Sequence, residues 1–391
     1  MHTAAATPSD PPAARRQTLV CRAIALALAA YFLASVAGFY HRGTGFTALI
    51  CFADAHDYEV PAMAQAPHFH VATGGYDGQF YAQLALVPLL KDPAIDRALD
   101  NPAYRARRIL FSWTAYVAGL GRPAWIIQIY AVQNVLCWLL LAWLLRRWIP
   151  PDTPRGLALW TACLFSQGLL ASVRLALTDG PAMLMLTLAA MAAERGRVPI
   201  TAAILGAGAL GRETTLLALT LFRVPRRPRD WFVLTGALAI AVVPLLLWQD
   251  YLWSIYRSTS WANQSLLNSP VTGMLRKWRV TVQGVQHDGI TSPHMWALAA
   301  TLGLTAQAAF VLWRRTYTDV WWRIATPFAV LMIFLAWDVW GGFPGAASRV
   351  LVPLTIGFNV LLRQYSGRVL WAWYALGNIA LIYAPAVLRS S

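Results

Sequence analysis

Three short stretches of this chain carry side chains that can do chemistry, and each is set among apolar residues. The first reads Gly74-Gly75-Tyr76-Asp77-Gly78-Gln79-Phe80-Tyr81. Glycines on both sides of Asp77 permit a tight turn. Phe80, Tyr81, Leu84 and Ala85 follow at helical spacing, which predicts a short amphipathic helix lying along a membrane surface. Asp77 then either caps that helix or faces outward as a general base towards a hydroxyl group. The second stretch, Thr178-Asp179-Gly180-Pro181, has the same two readings, a cap ahead of a first-turn proline or a working carboxylate. The third feature is arginine in apolar surroundings. Arg212-Glu213 interrupts the run 198–222, where a central charge costs about 2.5–3.5 kcal/mol on the insertion scale. The two either pair with each other at the tip of a hairpin, or Arg212 reaches a phosphate. Arg349, in Ser348-Arg349-Val350-Leu351-Val352-Pro353, either snorkels to the interface or binds phosphate. A guanidinium suits phosphate because its planar fork donates two parallel hydrogen bonds.

A fourth stretch offers metal-ligating types. Asp54, His56 and Asp57, with His68 and His70 downstream, match no standard zinc or calcium spacing, so they are weak metal candidates and no cofactor is expected. The chain has no Walker A motif, no GxSxG and no HExxH. Nucleotide hydrolysis, serine hydrolase and zincin chemistry therefore lack their residues. The four cysteines are scattered, with no CxxC and no disulfide framework.

These stretches must be positioned by membrane helices. The chain is 58% hydrophobic and 13% charged, where a soluble domain carries about 25% charged residues. Apolar segments of spanning length recur at 17–40, 123–148, 155–174, 229–253, 293–315, 321–340, 346–363 and 369–388, with a shorter one at 182–195. An all-α polytopic membrane protein follows. The net charge of +15 comes largely from arginines at segment ends, such as Arg15-Arg16, Arg146-Arg147, Arg226-Arg227 and Arg314-Arg315. That is the positive-inside pattern, not a nucleic-acid surface. It predicts a cytoplasmic N-terminus and two exterior loops, 41–103 and 254–292. Residues 1–16 read as a disordered tail and 17–391 as a single transmembrane domain. The apolar run from Leu19 to Phe39 is longer than a signal-peptide core and predicts an uncleaved anchor. Residues 104–121 are short for a span and predict a half-helix or re-entrant element, and 198–222, basic on both flanks, predicts two half-helices. Six of the seven histidines lie in or beside the exterior loops, marking that face as the working one.

In this order and placement, the motifs resemble those of the GT-C superfamily of integral-membrane glycosyltransferases, which use polyprenyl-phosphate-linked sugars. Tyr76-Asp77-Gly78-Gln79-Phe80-Tyr81-Ala82-Gln83-Leu84-Ala85 resembles the first exterior-loop motif of GPI mannosyltransferases and the Asp-Glu-x-x-Tyr-Ala pattern of lipid A aminoarabinose transferases. The segment 174–182 is similar to their second acidic motif, and Leu210-Gly211-Arg212-Glu213-Thr214 to a half-helix hairpin motif. Ser348 to Pro353 resembles a late Arg-x-x-x-Pro segment. The resemblance implies a GT-C-like bundle of about 9–11 transmembrane helices, with half-helix hairpins and amphipathic juxtamembrane helices in the first exterior loop. It implies Asp77 as base, assisted by Asp179, and Arg349, Arg212 and Arg174 as holders of the donor phosphate. Tyr76, Gln79, Tyr81, Trp261, Trp337 and Trp340 become candidates for substrate contact. Two departures stand out: Gly78 occupies the place of a glutamate, which leaves metal use open, and there is no large soluble C-terminal domain.

The expected reaction is inverting transfer of a sugar to a hydroxyl acceptor, on a cell-surface glycan, glycolipid or glycopolymer, at the exterior face of a bacterial-type plasma membrane. Two other classes fit the same composition. A glycolipid transporter or flippase would use such a cavity without a base, but the inverted repeat common in transporters is not seen. A non-catalytic subunit of a glycopolymer assembly machine would tolerate loss of both aspartates.

Overall fold

The computed structural model describes residues 12–54, 59–72, 74–224, 227–257, 266–342 and 345–389. His56, Asp57 and Trp261 lie outside them. The described chain is a multi-pass helical membrane protein. Four helices are long and apolar enough to cross a bilayer: Ala14–Ala37, Pro123–Leu145, Pro228–Ile255 and Pro293–Trp313. Two further helix pairs are long and apolar enough only when each pair is taken together, and each is bent. Pro154–Leu164 and Gln167–Arg174 meet at 46°, and Gly367–Gly377 meets Ile379–Val387 at 51°. Val198–Gly211, Val320–Phe334 and Val352–Leu362 are shorter apolar helices.

Local chemistry explains several helix starts. Proline opens many of them, where its missing N–H costs nothing. Thr153 accepts from the Gly156 N–H ahead of Pro154–Leu164, and Asn101 accepts from the Tyr104 N–H ahead of Pro102–Ala106.

The segment 104–121 does not cross. It breaks between Pro102–Ala106 and Leu110–Ala118, and the second helix has nine residues, so it rises only about 13 Å. The run 198–222 is also divided. The helix ends at Gly211, Arg212 is extended, and Glu213–Leu221 winds on as a 3-10 helix. Arg212 thus stands at the tip between two half-elements, as the sequence predicts. The stretch 254–292, expected to be a loop, holds a helix that sequence reading did not anticipate, Thr272–Asp288, packed on Pro293–Trp313.

Two apolar cores organise the molecule. The larger joins the spans: Trp138 is fully buried and stacks on Phe32 with ring centroids 3.8 Å apart. The second packs the segment between the first two long helices onto Pro123–Leu145 and Pro228–Ile255, through Phe52, Val60, Met63, Tyr81 and Leu84 against Ile127, Tyr130, Trp248 and Leu252. A short parallel pairing, Phe52–Ala53 with His70–Val71, folds that segment back on itself. This second core fixes the helix that begins after Asp77.

Candidate active site

The predicted helix after Asp77 is present as Gly78–Leu86. Asp77 makes no cap hydrogen bond to it. Its carboxylate instead accepts from Arg105 Nη2 at 2.9 Å. Arg105 is held a second time by Asp100, at 2.8 Å from Nε and 2.6 Å from Nη2, and its guanidinium lies 4.8 Å from the centre of the Phe80 ring. Burial acts to lower the Arg105 pKa. The hydrogen bond to Asp100 and the nearby Tyr81 and Asp77 outweigh it and raise it, so Arg105 is a permanent cation. The Asp77 side chain is 33% exposed, against 9% for Arg105. Asp77 is thus the more accessible member of the pair.

Gly78 is glycine for a steric reason. A Cβ there would collide with the carbonyl oxygens of Leu175 and Ile50. That close approach brings the Asp77 helix against the loop that leads to Asp179. Both loops carry left-handed non-glycine residues, Cys51 at φ 63° and Ala176 at φ 46°, a conformation that persists only where surrounding contacts impose it. Here the Cys51 carbonyl accepts from the Tyr76 N–H, and the Ala176 carbonyl accepts from the Tyr130 hydroxyl.

Asp179 is the first residue of Asp179–Glu194. It is not the cap, because Ser172 Oγ accepts from the Gly180 N–H at 2.8 Å. Asn134 donates to the Leu177 carbonyl and fixes the same turn. Relieved of capping, the Asp179 carboxylate is 2% exposed and meets Arg212 Nη1 at 2.7 Å and Arg349 Nη1 at 3.7 Å. Neither contact has hydrogen-bond alignment, so the groups interact as charges.

Arg349 joins Asp179 to the Tyr76 phenol. Its Nη2 donates to the Tyr76 hydroxyl at 2.9 Å, and Tyr76 immediately precedes Asp77. Burial pushes the Tyr76 phenol up; Arg349 opposes this, and Asp77 and Asp179 add to it. The phenol is therefore neutral at physiological pH. Beneath this bridge, Arg108 forks Glu213, with Nε at 3.1 Å from Oε2 and Nη2 at 3.0 Å from Oε1, and also donates to the Tyr81 hydroxyl at 3.0 Å. Four arginines thus balance four carboxylates in a cluster drawn from five parts of the chain.

The structure brings together Tyr76, Asp77, Asp179, Arg212 and Arg349. Other expected residues are placed differently. Arg212 and Glu213 do not pair with each other, because each faces a different partner across the hairpin tip. Arg174 donates to the Ala48 carbonyl and stacks over Phe39, in a structural contact apart from Asp179. Gln79 is half-buried and accepts from the Ala53 N–H, and Tyr81 is 2% exposed and faces inward. Trp340 is 1% exposed and part of the core, which removes it as a sugar-stacking surface. The Trp337 ring is covered by Arg276 at 4.2 Å. Asp54 is exposed; Glu59, His68 and His70 are the described residues that gather metal-ligating types.

Arg105 and Arg108 were missed in the sequence. A signal existed, since Tyr104-Arg105-Ala106-Arg107-Arg108 puts three arginines directly after a loop that the positive-inside pattern predicts to be exterior.

No family model and no curated protein matches the chain. Among solved structures it is similar to ArnT from Cupriavidus metallidurans in the apo state, at 16% sequence identity and a TM-score of 0.45. The match covers 90% of this chain and 63% of that one, so this chain spans less than two thirds of that protein's length.

Proposed function

We propose that the chain is a glycosyltransferase that moves a sugar from a polyprenyl-phosphate-linked donor to a hydroxyl acceptor, with Asp77 as general base. One observation carries the reading: an accessible carboxylate, Asp77, stands one residue from a tyrosine bridged to Arg349. Base and phosphate-binding group are the two things such a transfer needs side by side. Arg349 suits the phosphate because its hydrogen bond goes to a neutral phenol and its carboxylate contact is a long 3.7 Å. Its remaining donors can fork a phosphate oxygen pair. Arg212, shorter to Asp179, adds positive potential behind it.

In this reaction the acceptor hydroxyl gives its proton to Asp77 as its oxygen attacks the anomeric carbon from the face opposite the phosphate. The carbon–oxygen bond to phosphate breaks, and the phosphate leaves with the bonding electrons. Arg349 and Arg212 stabilise the charge that gathers on it. Asp179, too buried to touch an acceptor, positions those arginines. Configuration at the anomeric carbon inverts. The acceptor is a cell-surface glycan, glycolipid or glycopolymer, and the site faces the exterior of a bacterial-type plasma membrane.

The test is transfer from a panel of radiolabelled polyprenyl-phosphate sugars by purified protein, wild type beside Asp77→Asn. Wild type should turn over at least one donor, and Asp77→Asn should lower the rate by roughly 10²–10⁴-fold with an unchanged unfolding midpoint. Undiminished transfer by the variant would remove Asp77 as base. Donor movement across liposomes without turnover would replace the transferase with a transporter.

A further inference from the structure

The loop that carries Asp77 also gathers Glu59, His68 and His70, with one ligand atom of each within 4.8 Å of the others. His68 Nε2 lies 2.8 Å from Glu59 Oε1, and the two imidazole rings have centroids 4.4 Å apart. Each ring is oriented from its other nitrogen. His68 Nδ1 lies 2.6 Å from the Ala66 carbonyl oxygen, and His70 Nδ1 lies 2.7 Å from that of Ala53. A carbonyl only accepts, so each Nδ1 carries a proton and, in a neutral ring, each Nε2 carries a lone pair. Metal-ligating histidines are held in this way, by a carbonyl on the second nitrogen. At 2.8 Å, His68 Nε2 and Glu59 Oε1 share either a proton, as an imidazolium–carboxylate ion pair, or a metal ion in the proton's place.

We propose that Glu59, His68 and His70 bind a divalent transition-metal ion of the zinc class, with water completing the coordination. Two imidazoles and a carboxylate are a zinc-type donor set. Ligands about 2.0–2.2 Å from a tetrahedral ion stand about 3.3–3.6 Å apart, inside the range between the 2.8 Å pair and the 4.8 Å limit.

The ion would brace the site. Val60, next to Glu59, donates its N–H to Gln83 Oε1 at 3.0 Å. Ala53, whose carbonyl orients His70, donates its N–H to Gln79 Oε1 at 3.1 Å. Gln79 and Gln83 stand one turn apart on the helix that begins after Asp77. Glu59, His68 and His70 are therefore positioning residues, tying loop segments to the helix that aims the carboxylate. The metal assignment does not depend on the transfer reaction.

The experiment reads metal, not turnover. Full-length protein in detergent is stripped with chelator, dialysed against zinc and analysed for metal, then titrated with cobalt as a spectroscopic probe. Wild type and Asp77→Asn should each hold about one zinc per chain, and zinc should raise the wild-type unfolding midpoint. His70→Ala and Glu59→Gln should weaken zinc roughly tenfold or more and lose the midpoint shift. His70→Cys should keep binding and add a cobalt–thiolate charge-transfer band, which a variant that merely damages the fold would not show. A wild type that stays metal-free after zinc titration, its Glu59–His68 pair bridged by a proton only, overturns the proposal. Undiminished zinc in both His70→Ala and Glu59→Gln overturns it equally.

Discussion

Asp77 and Asp179 carry the same functional group in opposite surroundings, and that difference assigns their roles. Asp77 is a third exposed, and its partner Arg105 keeps a second carboxylate in Asp100. Removing the Asp77 charge leaves Arg105 paired, so Asp77→Asn should cost less than about 1 kcal/mol of stability. Asp179 is 2% exposed and faces an Arg212 side chain that is itself 11% exposed. Asp179→Asn leaves a buried guanidinium without its carboxylate, a change that costs about 3–5 kcal/mol. Denaturant unfolding of the two variants in detergent checks this. Equal midpoints would mean that Asp179 does not hold the arginines in place. At this scale the sequence was partly legible. Asp179, Arg212 and Arg349 could be singled out because charge inside apolar runs is costly enough to require a purpose. Their pairing could not, because Arg212 sits beside Glu213 in the chain and only the hairpin turns the two apart.

Between elements, the decisive contact is a glycine. Gly78 lets the Asp77 helix touch the Leu175 carbonyl, and Gly74, four residues earlier, has nothing within 4 Å of a Cβ placed on it. Gly78→Ala should therefore push the helix from the Asp179 loop, with overpacking costing about 1–3 kcal/mol and transfer falling with it. Gly74→Ala should leave both unchanged. Transfer rates and unfolding midpoints of the pair measure this directly, and equal behaviour would deny that the two loops are in register through Gly78. The helix after Asp77, the break at Arg212 and the short helix at Leu110–Ala118 were legible from spacing and length. The bends near 165 and 378 were not, since apolar composition fixes that a segment is buried and not which way it turns. Nor was the role of Ser172. Sequence places Asp179 where a cap belongs, and only tertiary structure supplies the hydroxyl that caps in its stead.

For the whole molecule, the arginine-rich segment from Arg105 to Arg108 is the exception that makes the topology intelligible. It follows the loop 41–103, which the charge pattern of the other segment ends puts outside. Arg105 is neutralised by Asp77 and Asp100, and Arg108 by Glu213. The segment therefore exerts less pull on orientation than its count of arginines alone would give. The proposed orientation, with a cytoplasmic N-terminus, then puts Leu89 and Thr291 outside and the link after Pro293–Trp313 inside. Leu89, Thr291 and Thr318 are exposed positions at which cysteine can report this. Three native cysteines are buried and Cys137 is half-buried, so background labelling is low. A membrane-impermeant maleimide should modify Leu89→Cys and Thr291→Cys in intact cells, and Thr318→Cys only after permeabilisation. Thr291 and Thr318 flank a single span, so labelling of both from one side would deny that Pro293–Trp313 crosses. Reversal of the whole pattern would place Asp77 and Arg349 on the cytoplasmic face, and a polyprenyl-phosphate donor would then have to present its sugar there.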